Sequence, residues 1–126
     1  MNDRATWLSC WVDRDGTIAL VRARGEIDVF TSADLGLCFE TALAGAPSQI
    51  VIDLSEVTFM DGSGLRLLER FHLKCRDRGF VLGLVKPAPH VRRLLELVGM
   101  DGVLPVLNPS SHPPEGASVR GVFDPP

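Results

Sequence analysis

Strands that alternate with helices behind an N-terminal hairpin predict an α/β fold, a mixed, largely parallel β-sheet with covering helices. Three observations carry this expectation. A favoured turn dipeptide, Asp15-Gly16, separates two strand-like runs. Downstream, the apolar spacing switches repeatedly between the period of a strand and that of a helix. Finally, "QIVIDLS" and "FVLGLVK" are short, continuous apolar runs, the pattern of parallel strands buried on both faces.

The elements follow in order. "WLSCWVDRDGTIALVRARGEID" reads as the hairpin. After its turn, Ala19, Val21 and Ala23 alternate with Leu20, Arg22 and Arg24, as in a strand with one face partly wet. Gly25 is expected to end that strand. In "VFTSADLGLCFETALAGAP", Leu35, Cys38, Phe39 and Ala42 fall on one helical face. Thr31 or Ser32 is placed to cap this helix, and Thr31 with Asp34 resembles a capping box. Gly45 and Pro47 stop it. The strand "QIVIDLS" leads into "FMDGSGLRLLERF", where Leu65, Leu68, Phe71 and Cys75 return at helical spacing. Gly79 closes this second helix. "FVLGLVK" is the next strand. Val91, Leu94, Leu95 and Val98 line a third helix that Gly99 closes. "GVLPVL" is a weak last strand, and Pro105 places it at a sheet edge.

Strand–helix–strand units cross over with right-handed geometry, which completes a largely parallel sheet. The pattern is consistent from Trp7 to about Leu107. Residues 1–107 are therefore expected to form one domain. From Asn108 the chain reads "NPSSHPPEGASVRGVFDPP", in which proline, serine and glycine dominate. A disordered tail is expected over 108–126.

Composition bounds the function. With 126 residues the chain can bury a core without disulfide staples. A net charge of -3 argues against general nucleic-acid binding, which needs a basic footprint. Cys10, Cys38 and Cys75 are widely separated and form no Cys-x-x-Cys pair. They read as reduced thiols serving as small core residues in a cytosolic protein. No apolar run approaches the ~20 residues that span a bilayer, and "MNDRATWLSCW" lacks the apolar core of a signal peptide. A cytoplasmic protein with no direct membrane contact is expected.

The chemistry centres on "FMDGSGLRLLERF", Phe59 to Phe71. A hydrolase elbow needs Gly-x-Ser-x-Gly, but Asp61 and Leu65 occupy the flanking places around Ser63. The stretch lacks the lysine of a phosphate-binding loop. Among the histidines, His112 falls in the tail, and His72 lies more than two helical turns beyond Ser63. No cluster has metal-ligand spacing. Neither an enzyme, a metal nor a cofactor is expected.

Two readings of Ser63 remain on these residues alone. As a helix N-cap it would satisfy an orphan backbone N–H, with the glycines as turn residues. That leaves Gly64, a poor helix former, unexplained just inside the helix. Alternatively, Ser63 is a modifiable hydroxyl. A helix N-terminus tolerates a phosphate, which would add about 1.5 to 2 negative charges beside Asp61.

"VIDLSEVTFMDGSGLRLLERF" resembles the strand–loop–helix of STAS domains, in particular of bacterial anti-sigma factor antagonists. "RGEIDVFTSADL" resembles the family's Gly-Glu-Leu-Asp segment and the capped helix after it. The resemblance covers about residues 7 to 107. It implies a cytosolic regulator of sigma-factor-dependent transcription, often in a stress response. Such a protein, when unphosphorylated, captures an anti-sigma factor that is commonly also a serine kinase of histidine-kinase-like fold. Phosphorylation releases the kinase, and a phosphatase resets the antagonist. The alternative the family offers is a subunit of a lipid- or anion-transport assembly, or of a stress-sensing one.

By position, the resemblance makes Ser63 the phosphoacceptor. Asp61 matches the acidic residue before it, and Asp28 the acidic residue near the phosphorylation site. Gly64 and Leu65 match the start of the helix. Gly62 departs from the pattern, because the family often has serine or threonine there. The two glycines would keep Ser63 reachable and let a partner's surface come close. On the exposed helix face, Arg66 could pair with acidic partner groups and Leu73 is a candidate apolar anchor. The expected partner surface is thus Asp28, Asp61, Gly62, Gly64, Leu65, Arg66 and Leu73.

Overall fold

A computed structural model describes residues 7–80, 82–85, 87–100 and 102–107. Strands β1 (Leu8–Asp15) and β2 (Ile18–Ile27) pair antiparallel, from Leu8 opposite Gly25 to Asp15 opposite Ile18. The two-residue turn is therefore Gly16–Thr17, one place later than Asp15-Gly16. Gly16 adopts φ +64°, which the turn requires and a glycine supplies without steric penalty. Gly25 does not end β2. The strand continues to Ile27 through two register shifts against its parallel neighbour.

Helix α1 spans Ser32–Ala44 and is followed by β3 (Gln49–Met60), α2 (Gly62–Asp77), β4 (Leu82–Val85), α3 (Pro89–Leu97) and β5 (Val106–Leu107). The sheet runs β1-β2-β3-β4-β5, antiparallel at its first pair and parallel thereafter. β5 is an edge strand, as Pro105 implies. The Pro105 carbonyl accepts the Leu84 N–H at 2.8 Å.

Because strand order follows chain order, right-handed crossovers carry successive helices to the same face. Leu35 and Phe39 of α1, Leu68 and Phe71 of α2, and Val91 and Leu95 of α3 accordingly share one core with inward residues of β2, β3 and β4. Phe39 and Phe71 stack with centroids 4.4 Å apart, which locks α1 against α2. The other face carries a smaller buried cluster of Leu20, Val51 and Val85. Beside it, Arg22 and Asp53 form a buried ion pair at 3.8 Å, with Arg22 also over the Trp11 ring. Of the β2 residues expected to be wet, only Arg24 is exposed, paired with Glu56 at 2.7 Å.

The capping box at α1 does not form. The Thr31 side chain makes no cap hydrogen bond to α1. Its hydroxyl instead donates to the Glu26 carbonyl at 2.7 Å and accepts the Asp28 N–H at 3.0 Å. The expected helix stops at Gly45, Gly79 and Gly99 do follow α1, α2 and α3. Among the described residues no helix is long and apolar enough to cross a membrane. The tail expected over 108–126 lies outside the described residues.

Candidate functional site

β2 and β3 end side by side, with Ile27 opposite Met60 and the Asp61 N–H donating to the Ile27 carbonyl at 3.2 Å. Each strand then turns at an aspartate, Asp28 or Asp61, into a helix. Both turns lie at the carboxyl ends of adjacent parallel strands, where α/β sheets build their sites.

Asp61 is the N-cap of α2. Its backbone is extended, and its Oδ1 accepts the Ser63 N–H at 2.8 Å. Its carbonyl accepts the N–H groups of Gly64 and Leu65 at 3.1 and 3.2 Å. These bonds satisfy the orphan donors of the first turn. The cap reading of Ser63 is thereby corrected, because Asp61 takes that role. Ser63 is half-buried, and its hydroxyl has no hydrogen-bond partner among the described residues.

The glycines on either side of Ser63 differ. Gly62 is exposed, and a Cβ there would lie 3.4 Å from Nη1 of Arg66. The missing side chain leaves room for that guanidinium to fold back along the first turn. Gly64 is buried, and a Cβ there would sit 2.6 Å from Met60 Cγ and 2.9 Å from Ile27 Cγ2. This explains a poor helix former inside a helix, since the first turn of α2 rests directly on the ends of β2 and β3. It also corrects the expectation that Gly64 clears space for a partner; packing requires it.

Asp28 is buried. Its Oδ1 accepts the N–H groups of Phe30 and Thr31 at 2.9 and 3.1 Å, and its carbonyl accepts the Ser32 N–H at 2.9 Å. Its carboxylate thus shapes the β2–α1 turn from inside and offers a partner little direct contact.

The STAS domain family profile matches residues 12–112. The chain belongs to the STAS domain family. This STAS domain is similar to RsfB, an anti-sigma-F factor antagonist of Mycobacterium tuberculosis, with 34% identity over 89 residues. That alignment covers 71% of each protein. Among solved structures, an anti-sigma factor antagonist from Mycobacterium paratuberculosis matches with a TM-score of 0.72 and 29% identity, over 94% of this chain and 96% of that one. SpoIIAA in its unphosphorylated form shares the fold, with a TM-score of 0.67 and 21% identity over 78% and 87% of the two chains. The phosphorylated form of Bacillus SpoIIAA matches with a TM-score of 0.65 and 19% identity, over 90% and 99%.

Within the STAS domain, the first turn of α2 gathers Asp61, Gly62, Ser63, Gly64, Leu65 and Arg66. Leu65 is half-buried and packs against the core, while Arg66 is exposed. Leu73 is 44% exposed but stands about 15 Å further along the helix axis. Three exposed apolar residues were not anticipated from the sequence. Val29 and Phe30 project from the turn that Asp28 holds, Phe30 with 81% of its surface exposed. Phe59, near the end of β3, is also exposed. All three lie at the same end of the sheet as Ser63. Solvent-facing aromatic and aliphatic side chains thus stand at the end of the sheet that carries Ser63. The only signal in the sequence was an apolar pair, Val29-Phe30, inside a turn.

Proposed function

We propose that this STAS domain is an anti-sigma factor antagonist switched by phosphorylation of Ser63. The observation that carries the proposal is the division of labour between Asp61 and Ser63. Asp61 caps the helix, which leaves the Ser63 hydroxyl with no structural task at an accessible helix start. A phosphate there would meet the positive end of the helix, with the Arg66 guanidinium on the same turn. The fold would therefore accept the modification.

A partner would not. The surface proposed for capture combines Val29, Phe30 and Phe59 with the exposed side of α2, including Gly62, Arg66 and Leu73. Introducing about 1.5 to 2 negative charges into such an interface carries a desolvation penalty and weakens binding. The antagonist relatives support an anti-sigma factor as the partner. That this factor is itself the serine kinase, with a histidine-kinase-like fold, belongs to the proposal. So do a phosphatase that resets Ser63 and a cytoplasmic setting. The reading as a transport or stress-complex subunit gains no support from the relatives named above.

The test uses the purified chain, its anti-sigma factor and ATP. One phosphate should map to Ser63, and Ser63→Ala should accept none. Ser63→Glu should capture the unmodified factor at least about tenfold more weakly than the wild type. Phosphate at another residue, or equal capture by Ser63→Glu, would sink the switch.

A further inference from the structure

We propose that Cys10 and Cys38 are a redox modification site, closing to a reversible disulfide when a hydroperoxide oxidises the chain. The inference stands independently of the anti-sigma reading. Cys10 lies in the first half of β1 and Cys38 on the face of α1 that packs towards it. Their sulfurs are in hydrogen-bond contact at 3.0 Å. A disulfide needs about 2.05 Å, so an approach of about 1 Å closes the bond. Both residues are half-buried, which leaves a small oxidant a route to them. The Cys10 sulfur also contacts the Asp34 carbonyl at 3.5 Å, which holds it against α1. Cys75 is buried and has no neighbouring sulfur among the described residues, so it serves as an internal control.

The two thiols share the oxidation. Burial, with the adjoining Cys38 thiol adding to it, pushes Cys10 up to about 12, which keeps it protonated until an oxidant arrives. The oxidation balances in the same way whichever of the two sulfurs the peroxide meets first, and with Cys38 first it has two steps. The Cys38 thiolate attacks one peroxide oxygen, the S–O bond forms, the O–O bond breaks, and the departing hydroxide takes the proton that the Cys38 thiol gave up and leaves as water. Cys38 is then a sulfenic acid. The Cys10 sulfur attacks the Cys38 sulfur, the S–S bond forms and the S–O bond breaks. The hydroxide released takes the Cys10 proton and leaves as a second water. Two electrons pass from the sulfurs to one hydrogen peroxide, and a dithiol reverses the change.

The experiment is a peptide map of the folded, full-length chain. Reduced protein is treated with a small excess of hydrogen peroxide, remaining thiols are alkylated, and trypsin is added without reductant. The expected product joins residues 5–14 to residues 25–66. It should be two hydrogens lighter than the separate peptides and should disappear with dithiothreitol. Cys75→Ser should still yield it, whereas Cys10→Ser and Cys38→Ser should not. The oxidised wild type should melt at least about 5 °C above the reduced form, because the bond ties β1 to α1 across a long loop. Three outcomes would overturn the proposal: sulfinic acid in place of the linked peptide, a bond to Cys75, or an unchanged melting point.

Discussion

Oδ1 of Asp61 accepts the backbone N–H of Ser63 at 2.8 Å, and the Ser63 hydroxyl has no hydrogen-bond partner among the described residues. Two polar residues of one tight turn, separated only by Gly62, thus differ in their part in holding the helix. The acid holds the helix, and the alcohol takes no part in that hold. A sequence motif cannot make that distinction, but stability measurements can.

Asp61→Ala should lower stability by about 1 kcal/mol, the typical cost of losing an N-cap. Ser63→Ala should stay within about 0.5 kcal/mol of the wild type. Urea unfolding of both variants measures this directly. An equal loss in the two would make Ser63 a structural residue after all.

Gly64→Ala tests the packing of α2 on the strand ends. Alanine gains about 1 kcal/mol of helix propensity over glycine. Its Cβ would meet Met60 Cγ at 2.6 Å and Ile27 Cγ2 at 2.9 Å, inside van der Waals contact. Ile27 is rigid at its branch, and overpacking of this kind costs about 1–3 kcal/mol. The net effect should be destabilising. A Gly64→Ala protein more stable than the wild type would show that Met60 moves aside freely.

Much of the fold is visible in the sequence because its signals are local. Alternation within β2, helical spacing in α2 and α3, and Pro105 at the edge each involve neighbours along the chain. What escaped depends on contacts distant in sequence. Asp15-Gly16 and Gly16–Thr17 both suit a two-residue turn, and only the cross-strand register chooses between them. Thr31 looks like a cap until the Glu26 carbonyl, on the preceding strand, takes its hydroxyl. Cys10 and Cys38 look like separate core residues because 28 positions divide them. At the candidate site, Ser63 and Asp61 were legible from the motif. Val29 and Phe30 were not, since a turn has no periodicity to set an exposed residue apart.

Asp28→Ala should separate architecture from capture. It removes the acceptor for the Phe30 and Thr31 N–H groups and should cost about 2–3 kcal/mol. Phe30→Ser removes only an exposed ring and should leave stability within about 0.5 kcal/mol. If the proposed surface is right, Phe30→Ser should nonetheless weaken anti-sigma capture by about tenfold or more, as loss of an aromatic anchor does. Calorimetric titration alongside urea unfolding reads both quantities. Unchanged capture by Phe30→Ser would remove this turn from the surface.

Alkaline pH should destabilise the reduced protein through two thiols. Burial raises Cys10 from an ordinary 9.0 to about 12, with the Cys38 thiol contributing. Burial likewise raises Cys75 to about 11, with Arg78 opposing it. The folded state therefore keeps protons that the unfolded chain gives up. Their stabilisation is complete below about pH 9 and is lost as pH rises towards 11 and 12. The urea midpoint should fall between about pH 8 and about pH 10.5, and should fall less in a Cys10→Ala/Cys75→Ala protein. Parallel curves for the two proteins would refute the assignment.

The turn held by Asp28 has a kinetic consequence. The N–H groups of Phe30, Thr31 and Ser32 are already satisfied from within, so Phe30 stands in water on a frame that needs no rearrangement before contact. A partner meeting this tip encounters a finished shape and does not have to wait for one to form. Its association rate should then be governed by diffusion and orientation, and differences in affinity between variants should appear mainly as differences in residence time.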